Sequence, residues 1–167
     1  MKTILIPTDF QIKSLRLVRE ALENNPNEEV RIILAHGMYM SSSITDLLFF
    51  SKSKVLNELV SEDFNTSCDL IKNTYESQLK SIIIDTFSAL NQSAFHDFLE
   101  VHGVDEVYYF KNKPFVAHNK KSFDLIPYIL KSNVYKIGLN WNSSVENKSK
   151  ESNELSEIFF AHGQITS

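Results

Sequence analysis

The chain has 167 residues, 43% of them apolar and 23% charged, and a formal net charge of −4. That length fits one domain and suffices to bury roughly 70% of the surface the unfolded chain would expose. The acidic balance argues against a general nucleic-acid binder; no apolar run approaches the about 18 residues of a membrane span; and the start lacks a signal-peptide pattern, so a cytoplasmic location is expected.

Lys2–Pro7 reads as a buried parallel strand, with Ile4-Leu5-Ile6 as its apolar run and Thr8-Asp9 at its carboxyl end. In open α/β sheets, ligands sit at such strand ends. A helix is predicted from Ser14 to about Glu23, with Leu15, Val18, Ala21 and Leu22 at helical spacing, stopped by Asn24-Asn25-Pro26-Asn27. Val30–Ala35 is a second strand, ending at His36-Gly37. Residues 38–53 form a mixed insert; its greasy patch Leu47–Phe50 reads either as a short helix or as a lid.

From Lys54 to Lys80 the pattern is helical, with Phe64, Cys68, Ile71, Tyr75 and Leu79 in one stripe. The single cysteine, Cys68, has no partner for an internal disulfide and reads as a buried helix residue. Ser81–Thr86 is a third strand and Asn91–His102 a helix ended by Gly103. Asp105–Phe110 is a fourth strand, followed by a polar, basic loop to Lys121. Ser122–Ser132 reads as a short helix interrupted by Pro127, and Val134–Trp141 as the fifth strand. Residues 1–141 therefore make one α/β domain, a mainly parallel five-stranded sheet with helices on both faces. Residues 142–167 are a polar C-terminal extension in which Leu155, Ile158 and Phe159 allow one or two amphipathic turns.

Glycine is scarce: Gly37, Gly103, Gly138 and Gly163 are the only four, against about twelve at average usage. Backbone phosphate cradles need glycines close together, so Walker-type and dinucleotide fingerprints are absent.

Three stretches resemble the universal stress protein family: the opening Lys-Thr-Ile-Leu-Ile-Pro-Thr-Asp, Val-Arg-Ile-Ile-Leu-Ala-His at 30–36, and Gly-Val-Asp-Glu-Val-Tyr-Tyr-Phe at 103–110. The resemblance implies a five-stranded α/β domain, usually a homodimer through its last strand. Here Val134, Tyr135, Ile137, Leu139 and Trp141 would supply that edge. Some members bind ATP and others do not, and many act as regulators without assigned chemistry. The ATP-binding branch carries Gly, two residues, Gly, nine residues, then Gly followed by Ser or Thr, just after the fourth strand. Here Lys111, Pro114 and Lys121 stand about where those glycines would be, and Ser122 alone matches in type. The resemblance thus implies no standard triphosphate cradle and no bound cofactor.

The candidate site residues each carry two readings. In ATP-binding relatives the residue matching Asp9 lies at the nucleoside side of the pocket; alternatively Asp9 accepts backbone N–H groups at the first helix, and Thr8 suits either role. His36 either faces the crevice or is packed and hydrogen-bonded. Lys111, Lys113, Lys120 and Lys121, with His118, form the most basic stretch. It is either a solvated loop or a site where lysines, with Ser122 capping a helix, hold ATP, another adenine nucleotide or a small anion. Asp85-Thr86-Phe87-Ser88 lines the crevice or caps the surface. No metal-ligand spacing and no nucleophile elbow occur, so neither a metal site nor catalysis is expected. The leading expectation is a regulatory or interaction domain, with an unknown protein partner open to it.

Overall fold

The computed structural model describes residues 1–40, 48, 51–117 and 119–141. The strands are β1 (Lys2–Pro7), β2 (Val30–Met38), β3 (Leu79–Phe87), β4 (Glu106–Lys111), β5 (Ser122–Phe123) and β6 (Tyr135–Asn140). The helices are α1 (Arg16–Glu23), α2 (Lys52–Leu59), α3 (Glu62–Thr74), α4 (Gln92–His102) and α5 (Ile126–Lys131). The sheet runs β3-β2-β1-β4-β6 with every neighbouring pair parallel. All these strands therefore deliver their carboxyl ends to one rim.

Strand β1 sits at the centre because its apolar run serves both faces. Ile4 and Ile6 join the core beneath α1 and α3, while Leu5 joins the core on the α4 and α5 face. All three side chains are fully buried, each contributing about 1.5–3 kcal/mol of transfer free energy. On the first face α1 adds Leu17, Val18, Ala21 and Leu22, and α3 adds Phe64, Cys68 and Ile71. On the second, Phe87, Phe95 and Phe123 pack with Ile129.

The helix limits follow from capping chemistry. The Ser61 hydroxyl accepts from Phe64 N at 3.1 Å, and the Asn91 carbonyl from Ala94 N at 2.7 Å. Gly103 ends α4 at φ +61°, a left-handed conformation open to glycine at little cost. The Asn25 amide closes α1 by donating to Ala21 O at 2.8 Å.

Several sequence expectations are corrected. The sheet has six strands, not five, because Ser122-Phe123 pairs antiparallel with Met38 and Gly37 of β2. The expected helix over Ser122–Ser132 begins only at Ile126, with Pro127 in its first turn, where a missing N–H costs nothing. Ser122 therefore caps no helix. Strand β2 runs three residues past Ala35 because β5 gives its end a second partner. The helical stretch from Lys54 divides at Val60-Ser61, and Leu79 opens β3 rather than extending the helical stripe. In the insert, Leu48 is 77% exposed; the rest of the Leu47–Phe50 patch, His118 and the extension 142–167 lie outside the described residues.

Candidate functional site

The carboxyl end of β1 is bent by a local hydrogen-bond network. The Ser14 hydroxyl donates to Gln11 O at 2.7 Å, so the Thr8 hydroxyl, 2.9 Å away, donates to Ser14 Oγ. Thr8 Oγ1 in turn accepts from Phe10 N at 3.0 Å. Phe10 is held at φ +62°, a conformation that costs a side-chain-bearing residue about 1 kcal/mol or more. Its buried ring compensates by packing against Phe64 and, at 4.8 Å, His36.

Asp9 is 8% exposed. One carboxylate oxygen accepts from Gln11 N at 3.1 Å, and the other accepts from the Lys113 ammonium. Lys113 reaches it from the loop after β4, and its charge also lies 5.2 Å from the Trp141 ring centroid. Carboxylate and ammonium both border a crevice cavity, together with Thr8, Ser14, Phe110 and Asp124. Only about 60 Å³ in it is open to the centre of a water molecule, space for ordered water and not for a purine.

A second closure comes from β5. A Cβ placed on Gly37 would lie 2.5 Å from Phe123 O and 2.9 Å from its ring, so glycine is what lets this strand seat against β2. His36, 1% exposed, ties the two together. Its Nδ1–H donates to Thr8 O at 2.8 Å, because a carbonyl can only accept; in the neutral ring Nε2 then accepts from the Ser122 hydroxyl at 2.9 Å. A serine hydroxyl on an oriented imidazole is the atom set of a nucleophile and its base. Here neither residue borders the crevice cavity, and the pair fastens β5 to β2 beneath Phe10.

The structure thus gathers Thr8, Asp9 and Lys113 at the crevice and places His36 and Ser122 just behind it. The other lysines diverge. Lys111 lies along Gly138 of β6, where an added Cβ would meet its Cε at 2.5 Å. Lys120 and Lys121 are exposed in the turn leading to β5. Asp85 does not border the crevice cavity; it pairs with Lys52 and, at 2.8 Å, with His102 Nε2. Among the described residues no three His, Cys, Asp or Glu side chains converge as metal ligands would, and no helix is long and apolar enough to cross a membrane. Of the titratable groups, burial pushes the Cys68 thiol up to about 12 and raises Tyr75 and Tyr108.

Sequence reasoning missed the Asp9–Lys113 pair and the role of Phe123. An acidic residue at one strand end and a basic one beyond another was the available signal, since adjacent parallel strands bring such ends together. Nothing in the local pattern marks Phe123 as a closing residue.

No protein-family model and no curated protein sequence matches the chain. Solved structures do. A hypothetical protein given a structure-based functional assignment matches with a TM-score of 0.51 at 21% identity, over 84% of this chain and 96% of its own. A universal stress protein solved in complex with cAMP matches with a TM-score of 0.51 at 13% identity, over 83% and 96%. The universal stress protein UspA from Lactobacillus plantarum matches with a TM-score of 0.50 at 13% identity, over 83% and 97%. The fold is therefore that of the universal stress proteins, an α/β architecture with a mainly parallel sheet.

Proposed function

We propose that this chain is a universal stress protein-like regulatory or interaction domain that does not hold ATP in the manner of its nucleotide-binding relatives. It performs no catalysis, resides in the cytoplasm and assembles as a homodimer along β6. One observation carries the reading. The Asp9 carboxylate, at the position where nucleotide-binding relatives meet the nucleoside, is taken by the chain's own Lys113 in a crevice with only about 60 Å³ open to the centre of a water molecule. Admitting a nucleotide would require breaking that pair and lifting β5 off Gly37.

The alternative, a nucleotide or small-anion module built on the Lys111–Lys121 stretch, draws less support. Lys111 lies along Gly138, Lys120 and Lys121 are exposed in the turn before β5, and Lys113, which borders the crevice, already has a carboxylate partner. The edge residues Tyr135–Asn140 present an unpaired ladder among the described residues, a surface suited to isologous pairing.

Denaturing the purified protein and chromatographing the supernatant tests the ligand claim; no adenine nucleotide is expected, and a stoichiometric one would refute it. Sedimentation at micromolar concentration tests the dimer, and a monomer there would remove that part.

A further inference from the structure

Strand β3 ends the sheet on the side away from β6, and its outer edge carries a row of open backbone groups. Thr8 N donates to Ala35 O at 2.9 Å, so Ala35 faces β1 while its neighbours Leu34 and His36 face β3. With Leu34 opposite Ile84 and His36 opposite Thr86, the parallel ladder takes its bonds from Ile83, Asp85 and Phe87. The N–H and C=O groups of Ile82 and Ile84 therefore aim outward, and no strand pairs with them among the described residues. At Thr86 the N–H is already taken by Asp85 Oδ1 at 2.7 Å, which ends the open row. Such a row is a template for another strand.

The side chains leave that edge undefended. Ser81-Ile82-Ile83-Ile84 holds no charge, proline or glycine, the residues that blunt a sheet edge. Ile82 and Ile84 are partly buried against the core under α1 and α3, while Ile83, on the opposite face, is 39% exposed. The flanking charges are already paired. Lys80 lies 3.1 Å from Glu29, and Asp85 is held by Lys52 and His102. Covering the edge therefore buries no uncompensated charge.

The pattern fits a second copy of itself. In antiparallel pairing about a two-fold axis at Ile83, Ile82 and Ile84 of one chain exchange both hydrogen bonds with Ile84 and Ile82 of the other, Ile83 faces Ile83, and Ser81 faces Asp85. Apolar side chains meet on both faces, and no like charges stand opposite each other. Moving the axis to Ile82 sets Lys80 against Ile84, and moving it to Ile84 sets Asp85 against Ile83, so the register is specified. We propose that two copies of this chain pair in this register along β3. The seam is distinct from the β6 edge and does not depend on it. Where both edges pair, the sheet runs on from copy to copy instead of closing.

The axis sets one residue beside its own copy. Across a non-hydrogen-bonded pair the two Ile83 Cα atoms would lie about 4.5 Å apart, within reach of a disulfide. Lys80 faces Thr86 in this register, so its own copy would lie about 20 Å away. The one native cysteine, Cys68, is buried. In the full-length protein under mild oxidation at micromolar concentration, Ile83→Cys should form a linked dimer at least about tenfold faster than Lys80→Cys, because paired thiols have a high effective concentration. Lys80 is also exposed and controls for random collision. Equal rates would overturn the proposal. Ile83→Lys gives an independent readout. It should remove one association step from the sedimentation profile, since two ammonium groups would meet on the axis; a profile identical to that of the wild type would also overturn the proposal. Linkage at Ile83 is blind to β6, so its outcome stands whichever way the β6 dimer is decided.

Discussion

Replacing Lys113 with methionine probes the crevice most sharply. The side chains of Asp9 and Lys113 are 6% and 16% exposed, so their contact is a largely desolvated ion pair. Removing one partner of such a pair leaves the other buried and uncompensated, at about 3–5 kcal/mol. Asp9 keeps its bond from Gln11 N at 3.1 Å, and methionine retains contact with Trp141, which places Lys113→Met at about 3 kcal/mol. Asp9→Asn should cost about 2 kcal/mol, since an amide oxygen still accepts from Gln11 N while the ammonium loses its charge partner. With both charges removed, the double variant should lose only about 2 kcal/mol, giving a coupling of about 3 kcal/mol. Urea unfolding of the four proteins, with slopes checked for constancy, measures the cycle. A coupling below about 0.5 kcal/mol would mean a solvated pair and would refute the picture of a crevice closed by its own lysine.

Three further outcomes follow from the same geometry. Gly37→Ala should cost about 1–3 kcal/mol, toward the upper end because the opposing atom is Phe123 O at 2.5 Å and backbone cannot rotate away; a neutral result in thermal unfolding would show that β5 is loosely seated. His36→Ala should cost about 2–4 kcal/mol by stranding Thr8 O and the Ser122 hydroxyl, and Ser122→Ala about 1 kcal/mol; equal losses would break the assignment of His36 as the fastener. Stability should fall as pH rises from about 9, because the Cys68 thiol titrates near 9.0 when unfolded but near 12 when folded, so the unfolded state sheds its proton first. Cys68→Ala should reduce the fall of the urea midpoint between pH 9 and 10, leaving the part that Tyr75 and Tyr108, also raised by burial, add toward pH 10, and an unchanged slope would contradict burial of Cys68 as a cause.

The parts of the fold that sequence reveals are those where one periodicity dominates. The Ile4-Leu5-Ile6 run and the Leu17-Val18-Ala21-Leu22 stripe each read in one way, and Gly103 marked the end of α4 correctly. The stretch from Ser122 to Ser132 misled because Phe123, Leu125, Ile126 and Ile129 also fit a helical spacing. Pairing with Gly37 and Met38, distant in sequence, decided the matter for its first two residues. Tertiary context overrides local propensity in the same way at Phe10, whose positive φ is held by Thr8 and by ring packing. At the site, the strand-end position of Thr8, Asp9 and His36 was readable. The distant partners of Asp9 and His36 were not, because Lys113 and Ser122 arrive from 104 and 86 residues away along the chain.

The measurement that bears most directly on the crevice is thermal unfolding of the wild-type protein with ATP, ADP, AMP and cAMP. A ligand of the native state at 100 times its Kd adds about 2.7 kcal/mol, about 5–10 °C for a chain of this size. The account predicts no shift with any of the four at millimolar concentration. A saturable shift of several degrees with one of them would contradict it and show that the Asp9–Lys113 pair opens for a nucleotide.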